Sequence, residues 1–146
     1  MRMRPHFLFR WTPTAISLWV FGVLFGVIGV LNIWLARLSS QRALPDSSAG
    51  DAGKMTHSLL LGAVENGATA ALCILGWYFM RRRTPTSLLA GALAASVALF
   101  ITFRRWLQWQ LAGTNQWPWA EPLFVWPFLL YAVVYAYRES RSHVAA

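Results

Sequence analysis

Residues 57–84, HSLLLGAVENGATAALCILGWYFMRRRT, decide the fold class of this chain. Apart from Glu65, the part before the arginines is apolar or weakly polar, and it is long enough to cross a hydrocarbon core of about 30 Å as one helix. Arg81, Arg82 and Arg83 end the apolar run, and Thr84-Pro85 is a typical start of a new helix. The stretch therefore predicts two membrane-spanning helices joined by a tight antiparallel turn.

The whole composition agrees with a membrane protein. Of the 146 residues, 57% are hydrophobic and 12% are charged, whereas soluble domains contain about 25% charged residues. The length corresponds to a single domain, residues 1–146. The excess of 13 basic over 5 acidic residues matches the basic cytoplasmic loops of membrane proteins, so we expect the lipid bilayer and no nucleic acid as a partner.

Four apolar segments predict helices at about 13–36, 57–80, 85–108 and 122–137, which indicates an all-α, integral membrane, antiparallel four-helix bundle. The first segment is longer than the roughly 7–15 apolar residues of a signal peptide, so we interpret it as a retained helix. Residues 38–55 are rich in Ser, Gly, Ala and Asp and predict a flexible outer loop. Pro127 in the fourth segment is either a kink or an ordinary proline of a membrane helix.

The distribution of basic residues predicts the orientation. With a cytoplasmic N-terminus, eight Arg residues lie inside and five Arg or Lys residues lie outside. This bias favours an N-in, C-in, multi-pass protein of the cell (inner) membrane.

Small residues at helical spacing predict close helix packing. They are Gly22, Gly26 and Gly29 in the first helix, Ala63, Gly67 and Ala71 in the second, and Ser87, Gly91 and Ala95 in the third. Such positions let neighbouring helices approach in a bilayer. They would equally fit another copy of the chain or a larger membrane complex.

Glu65 is the one ionisable residue deep in an apolar segment, and a charge there is by default a functional candidate. The turn near residues 82 and 83 places it level with about position 100 of the third helix. Arg104 lies one helical turn further, about 6 Å away along the axis. We therefore expect a Glu65–Arg104 ion pair, with Arg105 as the substitute.

Other polar side chains are predicted at the same depth, in the outer third of the bundle. The candidate ligand-binding site consists of Asn32, Glu65, Asn66, Arg104 and Arg105, and it would open to the outside or the outer leaflet. Two interpretations stay open: the ion pair fixes the helices together, or the site binds a ligand or handles a proton.

Further chemistry is not indicated. The sequence shows no catalytic constellation and no metal-ligand spacing, it names no cofactor, and it favours a protein that is not an enzyme. Cys73 lies in an apolar segment and reads as a packing residue.

The chain resembles the DoxX-like families of small integral membrane proteins. The resembling features are Gly29-Val30-Leu31-Asn32, where the family often has Gly-x-x-Lys, the long outer loop, residues 61–65 (LGAVE), and the basic turn at residues 81–83. The resemblance implies a four-helix bundle, in some members associated with quinone-linked redox complexes. Two functions are therefore expected: a non-catalytic subunit or scaffold of a membrane complex, or a lipid- or quinone-binding component of a membrane redox enzyme that uses a Glu65/Arg104 pocket.

Overall fold

The computed structural model describes residues 13–41, 49–113 and 118–144, and nearly all of them are helical. The helices are α1 (Pro13–Gln41), α2 (Ala49–Arg82), α3 (Pro85–Leu111), α4 (Ala120–Phe124) and α5 (Trp126–Val144). Four segments are long and apolar enough to cross a membrane, and α4 and α5 together form the fourth. The predicted all-α class with four helices of membrane-spanning length is confirmed.

The predicted outer loop at residues 38–55 was too long at both ends. Helix α1 continues to Gln41 and α2 begins at Ala49. The Ser39 hydroxyl donates to the carbonyl of Ala36 at 2.9 Å and lies 3.0 Å from the Thr56 hydroxyl. The two helices therefore extend beyond the apolar segments on which the prediction was based, and there they contact each other through polar side chains. Residues 42–48, the middle of the predicted flexible loop, lie outside the described residues.

The connection between α2 and α3 is tight, as predicted, but shorter than the predicted four residues 81–84, because α2 continues to Arg82. Only Arg83 and Thr84 separate the helices, and Arg83 has a φ of 52°. Thr84 and Ser87 form a reciprocal capping box, in which each side chain accepts a hydrogen bond from the backbone N–H of the other. Together with Pro85, the box fixes where α3 starts.

The fourth predicted helix is interrupted. The turn falls at Val125, two residues before Pro127. Proline has no N–H with which to bond the carbonyl of Leu123, so the helical hydrogen bonding breaks there. It resumes when the Leu129 N–H donates to the carbonyl of Val125 at 3.1 Å. The interruption beside Pro127 divides the fourth segment into α4 and α5.

Glycines set the contacts between α1, α2 and α3. A Cβ atom at Gly22 would lie 2.7 Å from Cγ1 of Ile74, and one at Gly29 would lie 3.4 Å from the carbonyl oxygen of Ala63, so the α1 stripe faces α2. A Cβ atom at Gly91 would lie 3.3 Å from the carbonyl oxygen of Gly76, which brings α3 against α2. At Gly67 a Cβ atom would meet nothing within 4 Å, so this predicted packing position is open.

The interior is built mainly from small and aliphatic side chains of the long helices. Its fully buried members include Leu18, Cys73, Ala95, Ala98, Leu129 and Ala132. Cys73 is therefore a packing residue, as predicted. The outer faces of the helices are rich in exposed Val, Leu, Ile and Phe, a surface suited to lipid rather than water.

Candidate functional site

The guanidinium group of Arg105 lies at the centre of the polar site. It donates hydrogen bonds to Oδ1 of Asn66 in α2 and to Oε1 of Glu121 in α4. Its Cζ lies 5.5 Å from the ring centroid of Phe25 in α1 and 5.2 Å from that of Trp109 in α3. Arg105 therefore contacts side chains from all four membrane-length segments.

The helical repeat explains why an arginine faces inward at this position. Ala94, Ala98, Thr102 and Arg105 follow one another at spacings of four, four and three, and all four are buried. Residues at these spacings share one helix face. The face that packs α3 into the interior with small residues therefore also carries Arg105 inside.

Glu65 and Arg104 form the ion pair that the sequence predicts. The Glu65 side chain is 10% exposed, whereas that of Arg104 is 48% exposed. The expectation that Arg105 would substitute for Arg104 was wrong, because adjacent residues point about 100° apart on a helix. Arg104 reaches Glu65 from the outer side of α3, while Arg105 points inward to different partners.

Asn66 belongs to the cluster and Asn32 lies apart from it. Asn32 sits against Gly62, where a Cβ atom would be 3.0 Å from its Nδ2 atom. Among the described residues, no hydrogen bond joins Asn32 to the charged side chains. The structure thus brings four of the five predicted site residues together. Asn32 of α1 lies against Gly62, which is one helical turn before Asn66 in α2.

Glu121 is the residue that sequence reasoning missed. The N-cap position of α4 is held by Trp119, and Glu121 turns back to pair with Arg105. The Trp106 indole N–H donates to the carbonyl of Pro118 at 2.6 Å and ties the incoming chain to α3. The balance of charges in the sequence could have indicated it. Arg104 and Arg105 are two neighbouring cations, Glu65 supplies one carboxylate, and Glu121 is the acid nearest the start of the fourth helix.

A few polar atoms in this region have no partner within the described residues. They are Arg105 Nε, Glu121 Oε2 and Trp126 Nε1, and all three are buried. Two neighbouring hydroxyl groups are satisfied within their own helices: Thr69 donates to the Glu65 carbonyl and Thr102 to the Leu99 carbonyl, each at 2.9 Å. The cluster therefore contains two ion pairs, and both partners of the Arg105–Glu121 pair keep one buried polar atom without a partner among the described residues.

An apolar groove of about 650 Å³ lies beside the cluster, between α3 and the α4–α5 segment. Phe100, Phe103, Pro122, Trp126 and Leu130 are among its lining residues. None of the five predicted site residues lines it, so it is distinct from the predicted pocket.

The charged side chains join α2, α3 and α4. In the described residues, no group of three or more His, Cys, Asp or Glu side chains could hold a metal ion.

No protein-family model matches the chain, and no curated protein or solved structure is significantly similar to it.

Proposed function

We propose that this chain is a non-catalytic subunit or scaffold of a membrane complex, folded as an antiparallel four-helix bundle with both termini in the cytoplasm. The observation that supports a structural role is the position of Arg105. Its guanidinium is bonded to α2 and α4 and lies over a ring of α1. Polar atoms that are already engaged by one another are suited to holding helices in register rather than to binding a substrate.

Energetics favour the same role. Removing one partner of a buried ion pair typically costs about 3–5 kcal/mol, because the other charge is left uncompensated. In a bilayer, helices lack a hydrophobic drive to associate, so packing and polar contacts must specify which faces meet. The Arg105 and Arg104 contacts join α3 to α2 and α4 in this way.

The second candidate is a lipid- or quinone-binding component of a membrane redox enzyme that uses the Glu65/Arg104 pair. The exposure of the Arg104 side chain, 48%, favours it. A guanidinium group has five N–H donors in one plane. An Arg104 that is half exposed therefore has donor capacity to spare for a carbonyl or phosphate oxygen. The resemblance to the DoxX-like families supports this second candidate, because some members of those families are associated with quinone-linked redox complexes.

The Glu65→Gln variant tests the two functions against each other. The tagged chain and the variant are extracted in mild detergent, and the proteins and lipids that co-purify are identified. A scaffold is supported when partner proteins are lost from the variant while bound lipid is unchanged. An intact assembly that has lost a bound lipid or quinone supports the second function. The matched control is Glu139→Gln, which removes a carboxylate from α5 at the other end of the molecule and is expected to cause the loss of neither partner proteins nor bound lipid or quinone.

A further inference from the structure

Five arginines gather at the end of the molecule opposite the polar cluster. Arg81, Arg82 and Arg83 lie at the α2–α3 connection, and Arg138 and Arg141 lie in the last part of α5. Helix α5 runs antiparallel to α3, because Trp126 at its start packs against Phe103 and Trp106 near the end of α3. The C-terminal part of α5 and the α2–α3 connection therefore share one end.

Three of these arginines lie over aromatic rings of their own helices. Cζ of Arg81 is 5.5 Å from the ring centroid of Trp77, and Cζ of Arg82 is 4.6 Å from that of Tyr78. Cζ of Arg141 is 5.7 Å from the ring centroid of Tyr137. In each case the ring is four residues earlier in the chain, and Arg82 also donates to the Tyr78 hydroxyl.

This arrangement sets the depth of the positive charges. Helical side chains lean toward the helix N-terminus, and for residues at the C-terminal ends of α2 and α5 that direction points back into the membrane. Trp and Tyr rings at helix ends lie at the level of the lipid headgroups. Guanidinium groups stacked over such rings are held at the depth of the lipid phosphates rather than out in water.

In the described part of the chain, basic residues outnumber acidic residues at this end. Glu139 is the one carboxylate beside the five arginines in the described part of the chain. At the opposite end, Glu65 pairs with Arg104 and Glu121 with Arg105. Among the described residues, five arginines therefore accompany one carboxylate at the end formed by the α2–α3 connection and the last part of α5.

We propose that this arginine end, defined by Arg81, Arg82, Arg83, Arg138 and Arg141, binds the phosphate groups of anionic phospholipids. The proposal rests on the insertion of the four helices in a membrane, which is part of the proposed function. The planar donors of arginine suit phosphate oxygens. Each basic residue near an anionic membrane surface strengthens binding by about fivefold.

Lipid binding to the purified full-length chain tests the proposal. The chain in an uncharged detergent is titrated with phosphatidylglycerol or with phosphatidylcholine of the same acyl chains, and dissociation constants are measured by native mass spectrometry. The test variant is Arg81→Gln/Arg83→Gln, which leaves the Arg82–Tyr78 contact in place. The matched control is Arg37→Gln/Lys54→Gln, which also removes two exposed positive charges but from the other end.

We expect the chain to prefer phosphatidylglycerol and the test variant to bind it about 25-fold more weakly, because two contributions of about fivefold are lost. The control variant should retain the preference. The proposal is overturned if the chain binds both lipids equally, if both double variants lose the same affinity, or if inorganic phosphate displaces the lipid at comparable concentration.

Circular dichroism of each variant checks that the helices are retained, and Arg138→Gln/Arg141→Gln provides a second test variant.

The result of the lipid-binding experiment can be distinguished from a failure of the scaffold proposal. Loss of lipid preference would leave the co-purification of partner proteins unaffected, and absence of partner proteins would leave lipid binding measurable.

Discussion

Arg105 and Glu121 form an ion pair that joins the end of α3 to the short helix α4. The Arg105 side chain is 4% exposed and that of Glu121 is 17% exposed. Taking such charges out of water is expensive, and their mutual attraction offsets that cost only while both are present. The pair therefore holds α4 against α3 together with the hydrogen bond from the Trp106 indole to the Pro118 carbonyl.

Replacing that carboxylate should destabilise the protein strongly. We expect Glu121→Leu to lower the free energy of unfolding by about 3–5 kcal/mol, because Arg105 would remain buried without a counter-charge. The measurement is denaturant-induced unfolding of the purified chain in mild detergent. The double variant Arg105→Met/Glu121→Leu should recover most of the loss, since apolar residues of similar size often replace a buried ion pair without penalty. A double variant that is no more stable than Glu121→Leu would contradict the prediction.

The neighbouring Glu65–Arg104 pair should be worth less. Half of the Arg104 side chain is exposed, and an exposed ion pair contributes only about 0–1 kcal/mol. A double-mutant cycle with Glu65→Gln and Arg104→Gln, measured in the same unfolding assay, should give a coupling energy in that range. A coupling energy as large as that of Arg105 with Glu121 would show that Arg104 is held as tightly as Arg105.

These two pairs show what the sequence could and could not predict. The Glu65–Arg104 pair follows from counting residues on either side of the turn near residues 82 and 83, because the rise per residue of a helix fixes the depth of each position. Membrane-length helices and the Thr84 start signal are likewise local patterns. The contact of Arg105 with Glu121 depends instead on how the chain returns to α3 after residue 113, and no spacing rule describes that connection.

Helix ends were predicted less well than helix centres. The apolar pattern stops near residue 36, but Ser39 and Thr56 extend the α1–α2 contact through their hydroxyl groups. Small-residue stripes also left the partner of each helix open. The structure resolves this choice by steric fit: Gly22 and Gly29 lie against α2, and Gly67 is left free.

The steric fit at Gly22 predicts a contrast between two alanine substitutions. Gly22→Ala would place a Cβ atom 2.7 Å from Cγ1 of Ile74, so either the Ile74 side chain or the spacing of α1 and α2 must change. Overpacking of this kind typically costs about 1–3 kcal/mol. Gly67→Ala meets nothing within 4 Å and should be neutral or stabilising by up to about 1 kcal/mol, because alanine has the higher helix propensity. Unfolding in detergent would measure both, and equal effects would contradict the assignment of the α1–α2 interface.

Reporter fusions test the orientation. With eight basic residues on the side of the N-terminus and five on the other, the positive-inside rule predicts a cytoplasmic signal from a reporter at the C-terminus and an external signal from one at Ala49. A cytoplasmic signal at Ala49 would overturn the N-in, C-in orientation.

The triple variant Arg81→Gln/Arg82→Gln/Arg83→Gln leaves five basic residues on each side, so its fusions should report a mixture of both orientations. The control Arg37→Gln/Lys54→Gln increases the bias and should keep the orientation uniform. If the triple variant also stays uniform, then features other than the arginines of the α2–α3 connection set the topology.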